Sequence, residues 1–134
     1  MEKKDFVAPD EALALKQLGF NEPCYGVFVE GTDNFLNINP EPRNWNDNLV
    51  NGDVTSAPLY QQAFRWFAKT TVYVEWPIES WIQPYLTKEP RTYEGRYWQR
   101  GEYNSVGVYN SHPEAQLEVL RKLIEVVKKQ QKNS

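Results

Sequence analysis

A single cysteine, Cys24, and a single histidine, His112, stand among 134 residues. One thiol excludes an intrachain disulfide, and so short a supply of soft ligands excludes the multi-cysteine zinc clusters. A Ser-His-Asp or Cys-His device would have to use His112. That residue sits inside Ser111-His112-Pro113-Glu114, a capping-box sequence that commits Ser111 to the start of a helix. The 7 glycines are scattered singly, so neither a GxGxxG turn nor a GxxxxGK[ST] loop is present to cradle phosphates. No apolar run approaches the length of a membrane span, and Met1-Glu2-Lys3-Lys4-Asp5 is not followed by the apolar segment of a signal peptide. A cytoplasmic protein with no membrane contact, no metal and no cofactor is the expectation.

The chain is instead rich in rings, with 5 Trp, 8 Tyr and 6 Phe. Its 15 basic and 18 acidic side chains leave a net charge of −3. An acidic balance disfavours broad nucleic-acid binding, which needs a dense cationic surface. The basic surplus lies in the C-terminal third. Hydrophobic residues at 40% and charged residues at 25% fit one folded domain spanning residues 1–134.

Periodicity and punctuation place the elements. Pro9 to Phe20 predicts a short helix, with Pro9 in its first turn, Asp10 and Glu11 at the positive end of the dipole, and Gly19 as its stop. Cys24 to Glu30 reads as a central strand, and Cys24 as a small buried hydrophobe. Residues 35–55 read as a long irregular loop with at most a short strand over Phe35-Leu36-Asn37-Ile38, because Asn, Asp, Pro and Gly crowd it. Asp47, Asn48, Asn51 and Asp53 supply oxygen atoms there, without the spacing of an EF-hand. Ser56 is expected to cap a second helix running through Leu59 to Phe67. Thr71 to Trp76 reads as a strand, Ser80 to Leu86 as a weaker one broken by Pro84, and Thr92–Gln99 with Tyr103–Tyr109 as a hairpin turning at Arg100-Gly101. An amphipathic helix follows Ser111, with Leu117, Leu120, Ile124 and Val127 along its apolar line, and residues 130–134 are expected to fray. The fold expected is α+β, a single domain with a mostly antiparallel sheet and helices packed on one face. Its core would set Leu59, Ala63, Phe67, Leu120, Leu123, Ile124 and Val127 against Val27, Val29, Val72 and Val74.

The densest chemistry lies between Tyr85 and Tyr103, where rings alternate with Lys88, Arg91, Arg96 and Arg100. A ring beside a guanidinium can stack a base and hold its phosphate. Tyr93, Glu94, Arg96, Trp98 and Arg100, with Arg91 beside them, are therefore the candidate ligand site. Strand alternation sets Glu94, Arg96 and Trp98 on one face. Carboxylate chemistry would call on Glu75, Glu79, Glu94 and Glu102, none of which the sequence singles out.

Two longer motifs carry a resemblance. A short helix runs into Leu18-Gly19-Phe20-Asn21-Glu22-Pro23-Cys24, and Pro58-Leu59-Tyr60-Gln61-Gln62-Ala63-Phe64-Arg65-Trp66 follows. In this the chain resembles small accessory proteins of phages and prophages of gut Bacteroidota, in which a Gly-Phe-x-Glu-Pro-Cys segment precedes a Pro-x-x-x-Gln-Ala-x-x-Trp helix. Those proteins also close with strands and a Ser/Thr-capped amphipathic helix, as Ser111 to Val127 does here. The resemblance brings no catalytic residue. It implies a phage-borne accessory protein working in the bacterial cytoplasm. With no complete catalytic set and many aromatic anchors, the expected function is a non-enzymatic binding module engaging a host protein or a small anionic, nucleotide-like ligand. A carboxylate-dependent hydrolase or transferase is the alternative, and DNA binding through Arg121, Lys122, Lys128 and Lys129 the third reading. A homodimer is expected, since so many rings exceed what one small core hides.

Overall fold

A computed structural model describes residues 2–29, 35–46, 54–69, 78–85 and 92–132. Helices α1 (Pro9–Gln17), α2 (Tyr60–Lys69) and α3 (His112–Lys132) combine with strands β1 (Cys24–Val29), β2 (Leu36–Arg43), β3 (Val54–Ala57), β4 (Glu79–Tyr85), β5 (Thr92–Gln99) and β6 (Glu102–Tyr109). The fold is α+β and every strand pairing is antiparallel, as the sequence implies. The strands form two three-stranded sheets, in the orders β2-β1-β3 and β4-β5-β6. The chain divides into two compact units, residues 1–62 and 63–134, with the division inside α2.

In the first unit β1 is central, and its alternating bulk explains the position. Cys24, Val27 and Phe28 are all buried. The stretch expected to be a long loop instead supplies β2, an eight-residue strand containing Pro40 and Pro42. Proline lacks the N–H that a central strand must donate, and β2 lies at the sheet edge, where the loss is tolerated. Ser56 is likewise not a helix cap. It lies in β3, buried, with its backbone N–H donating to Asn46 Oδ1 (2.8 Å) and its hydroxyl accepting from Trp45 N–H (3.0 Å). Asn46 also donates from Nδ2 to Phe20 O at 2.9 Å. Asn46, which looks like a turn former in sequence and lies just beyond β2, thus acts as a buried cross-link between Phe20 and β3. Asp47, Asn48, Asn51 and Asp53 lie outside the described residues. α1 opens with Pro9 at its first turn and is joined to β3 by Lys16 Nζ, which donates to Val54 O at 2.7 Å.

In the second unit α3 packs on the β4-β5-β6 sheet. Ser111 caps it, accepting from Glu114 N–H at 3.3 Å. Its buried stripe is Ala115, Val119, Leu120, Leu123, Ile124 and Val127, while Leu117 is only half-buried. The apolar line therefore centres on Val119 and Leu123, slightly round the helix from the line through Leu117. The helix continues to Lys132, past the point where fraying is expected, because Gln130 Nε2 donates to Gln99 Oε1 on β5 at 3.0 Å. Ala63, Trp66 and Phe67 of α2 are buried, with the Trp66 and Phe67 rings edge to face at 5.0 Å, and Ile78 N–H donates to Phe67 O at 2.9 Å. Of the other residues expected in the core, Val27 is buried, Leu59 and Val29 are half-buried, and Val72 and Val74 lie outside the described residues with the rest of Thr71–Trp76. The β5–β6 hairpin turns on Arg100 (φ 56°) and Gly101 (φ 75°), the two left-handed residues that a two-residue type I′ turn needs.

Candidate functional site

The register of β4-β5-β6 decides which side chains meet. Counting back from the turn, Trp98 lies opposite Tyr103 and Arg96 opposite Ser105; on the other side Arg96 pairs with Trp81, Glu94 with Gln83 and Trp98 with Glu79. Cross-strand partners share a face. Glu94, Arg96, Trp98, Trp81, Gln83, Tyr103 and Ser105 thus occupy the sheet face opposite α3. A β-bulge between Gly95 and Arg96 places one extra β6 residue, Val106, between the partners Ser105 and Gly107. Ser105 reaches the open face by the unbroken pairing from the turn, and the bulge then sets Val108 rather than Gly107 opposite Glu94.

Glu94 is only 8% exposed although it lies on the open face, because its neighbours cover it. Arg96 Nε and one terminal nitrogen both lie 2.5 Å from Oε1 of Glu94, and Ser105 Oγ donates to Oε2 at 3.0 Å. The Arg96 guanidinium also lies over the Tyr103 ring, 4.9 Å from its centre. With the Gln83 amide assigned so that its oxygen rather than its nitrogen faces the guanidinium, that oxygen accepts from both terminal nitrogens at 3.2 and 3.3 Å. The cation is therefore matched by an anion, a carbonyl and a ring. Around this neutralised centre stand Trp81 (37% exposed), Trp98 (43%) and Tyr103 (45%), with the Trp81 and Tyr103 ring centres 6.3 Å apart.

Three of the five candidate residues, Glu94, Arg96 and Trp98, come together here. Tyr93 does not. It faces α3, its ring edge to face with His112 at 5.7 Å, because odd positions of β5 point to the helix side. Arg100 is exposed in the turn, beyond the regular alternation of the strand. Arg91 lies outside the described residues. Trp81, Tyr103, Gln83 and Ser105 complete the cluster without having been singled out as site residues. Tyr103 could have been found by counting from the Arg100-Gly101 turn, whereas Trp81 needs the β4–β5 register, which no tight turn fixes. Two of the acids share the open face, but Glu79 lies opposite Trp98, four residues along the strand from Glu94 or about 13 Å, too far for a catalytic pair, while Glu102, opposite Gln99, is on the helix side of the sheet. Glu75 lies outside the described residues. Among the described residues, no group of three or more His, Cys, Asp or Glu is placed to hold a metal ion, and no helix is long and apolar enough to cross a membrane.

Cys24 is buried, its thiol donating to Glu22 O at 3.4 Å. Burial pushes its pKa from 9.0 up to about 12, against the hydrogen bond from Ser56, with the Glu22 charge adding to the rise. The unfolded thiol loses its proton near pH 9 and the folded one only near 12, so the stability held below pH 9 is lost progressively across that window. At pH 8 the folded thiolate fraction is about a thousandth of the unfolded one, so iodoacetamide labelling, followed by mass, is expected to be slowed roughly in proportion. Labelling of the folded protein at the unfolded rate would contradict this.

Comparison of the chain with protein-family models, curated proteins and solved structures finds no match.

Proposed function

We propose that the protein is a non-enzymatic binding module whose recognition surface for a partner protein is the open face of β4-β5-β6. The observation that carries this reading is the grouping of Trp81, Trp98 and Tyr103 around the Arg96–Glu94 pair. Tryptophan, tyrosine and arginine are the residue types that dominate protein-binding hot spots. A guanidinium already matched by Glu94 has little charge left to offer a phosphate, which favours a protein surface over a nucleotide. The separated carboxylates argue against a hydrolase built on them. Resemblance to phage accessory proteins makes a host protein of the bacterial cytoplasm the natural partner, and a second copy of the chain the competing occupant.

Trp98→Ala and Tyr103→Ala alter exposed side chains, so the fold should survive them. Each is expected to weaken partner binding by about 30-fold, the effect of a ~2 kcal/mol hot spot. Affinity capture from host extract, with Leu13→Ala as a control on the exposed side of α1, reads this out. A host partner retained by the native protein and by Leu13→Ala but lost by Trp98→Ala supports the proposal. Capture indifferent to both aromatic substitutions overturns it. So does a melting temperature raised by nucleotides and not by the captured protein. Dimerisation abolished by Trp98→Ala would replace the host protein with a second copy.

A further inference from the structure

Within the first unit, and independent of the sheet face above, the N-terminal segment borders an open cleft of about 570 Å³. Its walls follow from how that segment is pinned. Residues Lys3–Asp5 make a single 3-10 turn, held by Glu2 N–H donating to Asp5 Oδ2 at 2.9 Å. The chain then runs extended, with Phe6 bridged to Leu59 and Val7 N–H donating to Pro58 O at 2.9 Å, before Pro9 opens α1. Phe6, Phe28, Leu36 and Tyr60 form the apolar lining, and Phe28 and Leu36 are register partners on β1 and β2. Lys3 and Lys4, both exposed, also belong to the lining, and among the described residues no carboxylate does.

The volume falls in the range of small-molecule sites, about 300–1,000 Å³. An apolar wall that ends in two cations is complementary to a molecule with a greasy body and one anionic head. We propose that this cleft binds an amphipathic monoanion, a medium-chain carboxylate, with its chain against Phe6, Phe28, Leu36 and Tyr60 and its head at Lys3 and Lys4. Lys4 is engaged with Glu2 at 3.4 Å, but that pair is about 70% exposed at each end and yields readily to a competing carboxylate. The flexible lysine stems can follow the head while their methylenes cover the chain.

Titration calorimetry with decanoate and with decanol, below micelle-forming concentrations, tests this. Decanoate is expected to bind one to one and roughly fivefold more tightly than decanol, the difference being the ion pair at the rim. Lys3→Ala/Lys4→Ala, at exposed positions, should bring decanoate down to the affinity of decanol and leave decanol unchanged. Ala8→Trp, which places an indole in the cleft, should abolish binding of both. Absence of saturable decanoate binding overturns the proposal. An unchanged decanoate affinity in the double lysine variant overturns it as well, as does full binding by folded Ala8→Trp. Should Ala8→Trp fail to fold, the lysine variant decides alone.

Discussion

Leu120→Ala is expected to lower the unfolding free energy by about 2–5 kcal/mol. The side chain is fully buried in α3, between Val119 and Leu123 and next to Ile124, all of them buried too. Replacing its isobutyl group by methyl loses the transfer energy of three carbons and leaves a cavity. The surroundings resist collapse, because α3 is tied down at Ser111 by its cap and at Gln130 by Gln99. A domain of this size is stabilised by only about 5–15 kcal/mol in total, so the loss is a large share. Leu13→Ala removes the same atoms from α1 at a site 47% exposed, and should change stability by no more than about 0.5 kcal/mol. Chemical denaturation followed by circular dichroism compares the two. Equal shifts would mean that Leu120 is not core, and the assignment of the α3 face would fall with it.

Legibility in the sequence followed the range of the physics. Local devices were readable: the cap at Ser111, the left-handed pair at Arg100-Gly101 and the helical stripe of α3 each depend on residues within one turn of one another. Strand alternation correctly put Glu94, Arg96 and Trp98 on one face. The same alternation excludes Tyr93 from it, so that residue belonged to the helix side on the sequence evidence itself. Features set by distant partners were not readable. β2 contains two prolines that composition assigns to a loop, and only its place at a sheet edge makes them acceptable. Ser56 has the chemistry of a cap, but Asn46 and Trp45, brought close by the pairing of β3 with β1, claim it for a strand.

The candidate site shows the same division. Its rings were visible as a dense aromatic segment, yet its electrostatics depended on register. A phosphate-binding role for Arg96 assumes a free guanidinium. In the fold, the hairpin register brings Ser105 from β6 to Glu94, Gln83 comes across from β4, and Arg96 is surrounded by partners. What the sequence presented as a charged site is therefore a neutral one with an aromatic border, and this turns the functional reading from an anion toward a protein surface.

Gly95→Ala is expected to destabilise the protein by about 1–3 kcal/mol, the reverse of the usual effect of that substitution. Gly95 is not among the residues with left-handed backbone, so alanine meets no conformational obstacle, and restricting the unfolded chain should by itself stabilise by about 0.4–1 kcal/mol. The obstacle is α3. A Cβ at Gly95 would fall on Val119 Cγ2, well inside van der Waals contact. Val119 is fully buried on a helix held at both ends, so neither the methyl nor the backbone can withdraw cheaply. The absence of a side chain at Gly95 is thus what lets α3 sit down on β5. Val119→Ala alone should cost about 2 kcal/mol by emptying two methyl volumes from the core. In the double variant, the alanine methyl at 95 enters the space that Cγ2 vacates. The combined loss should then fall short of the sum of the single losses by about 0.5–3 kcal/mol, the range of coupling between residues in contact. Urea denaturation of the native protein and the three variants measures this cycle. Additive losses, or a Gly95→Ala variant as stable as the native chain, would show that β5 and α3 are not in the close contact on which the whole helix face of the sheet depends.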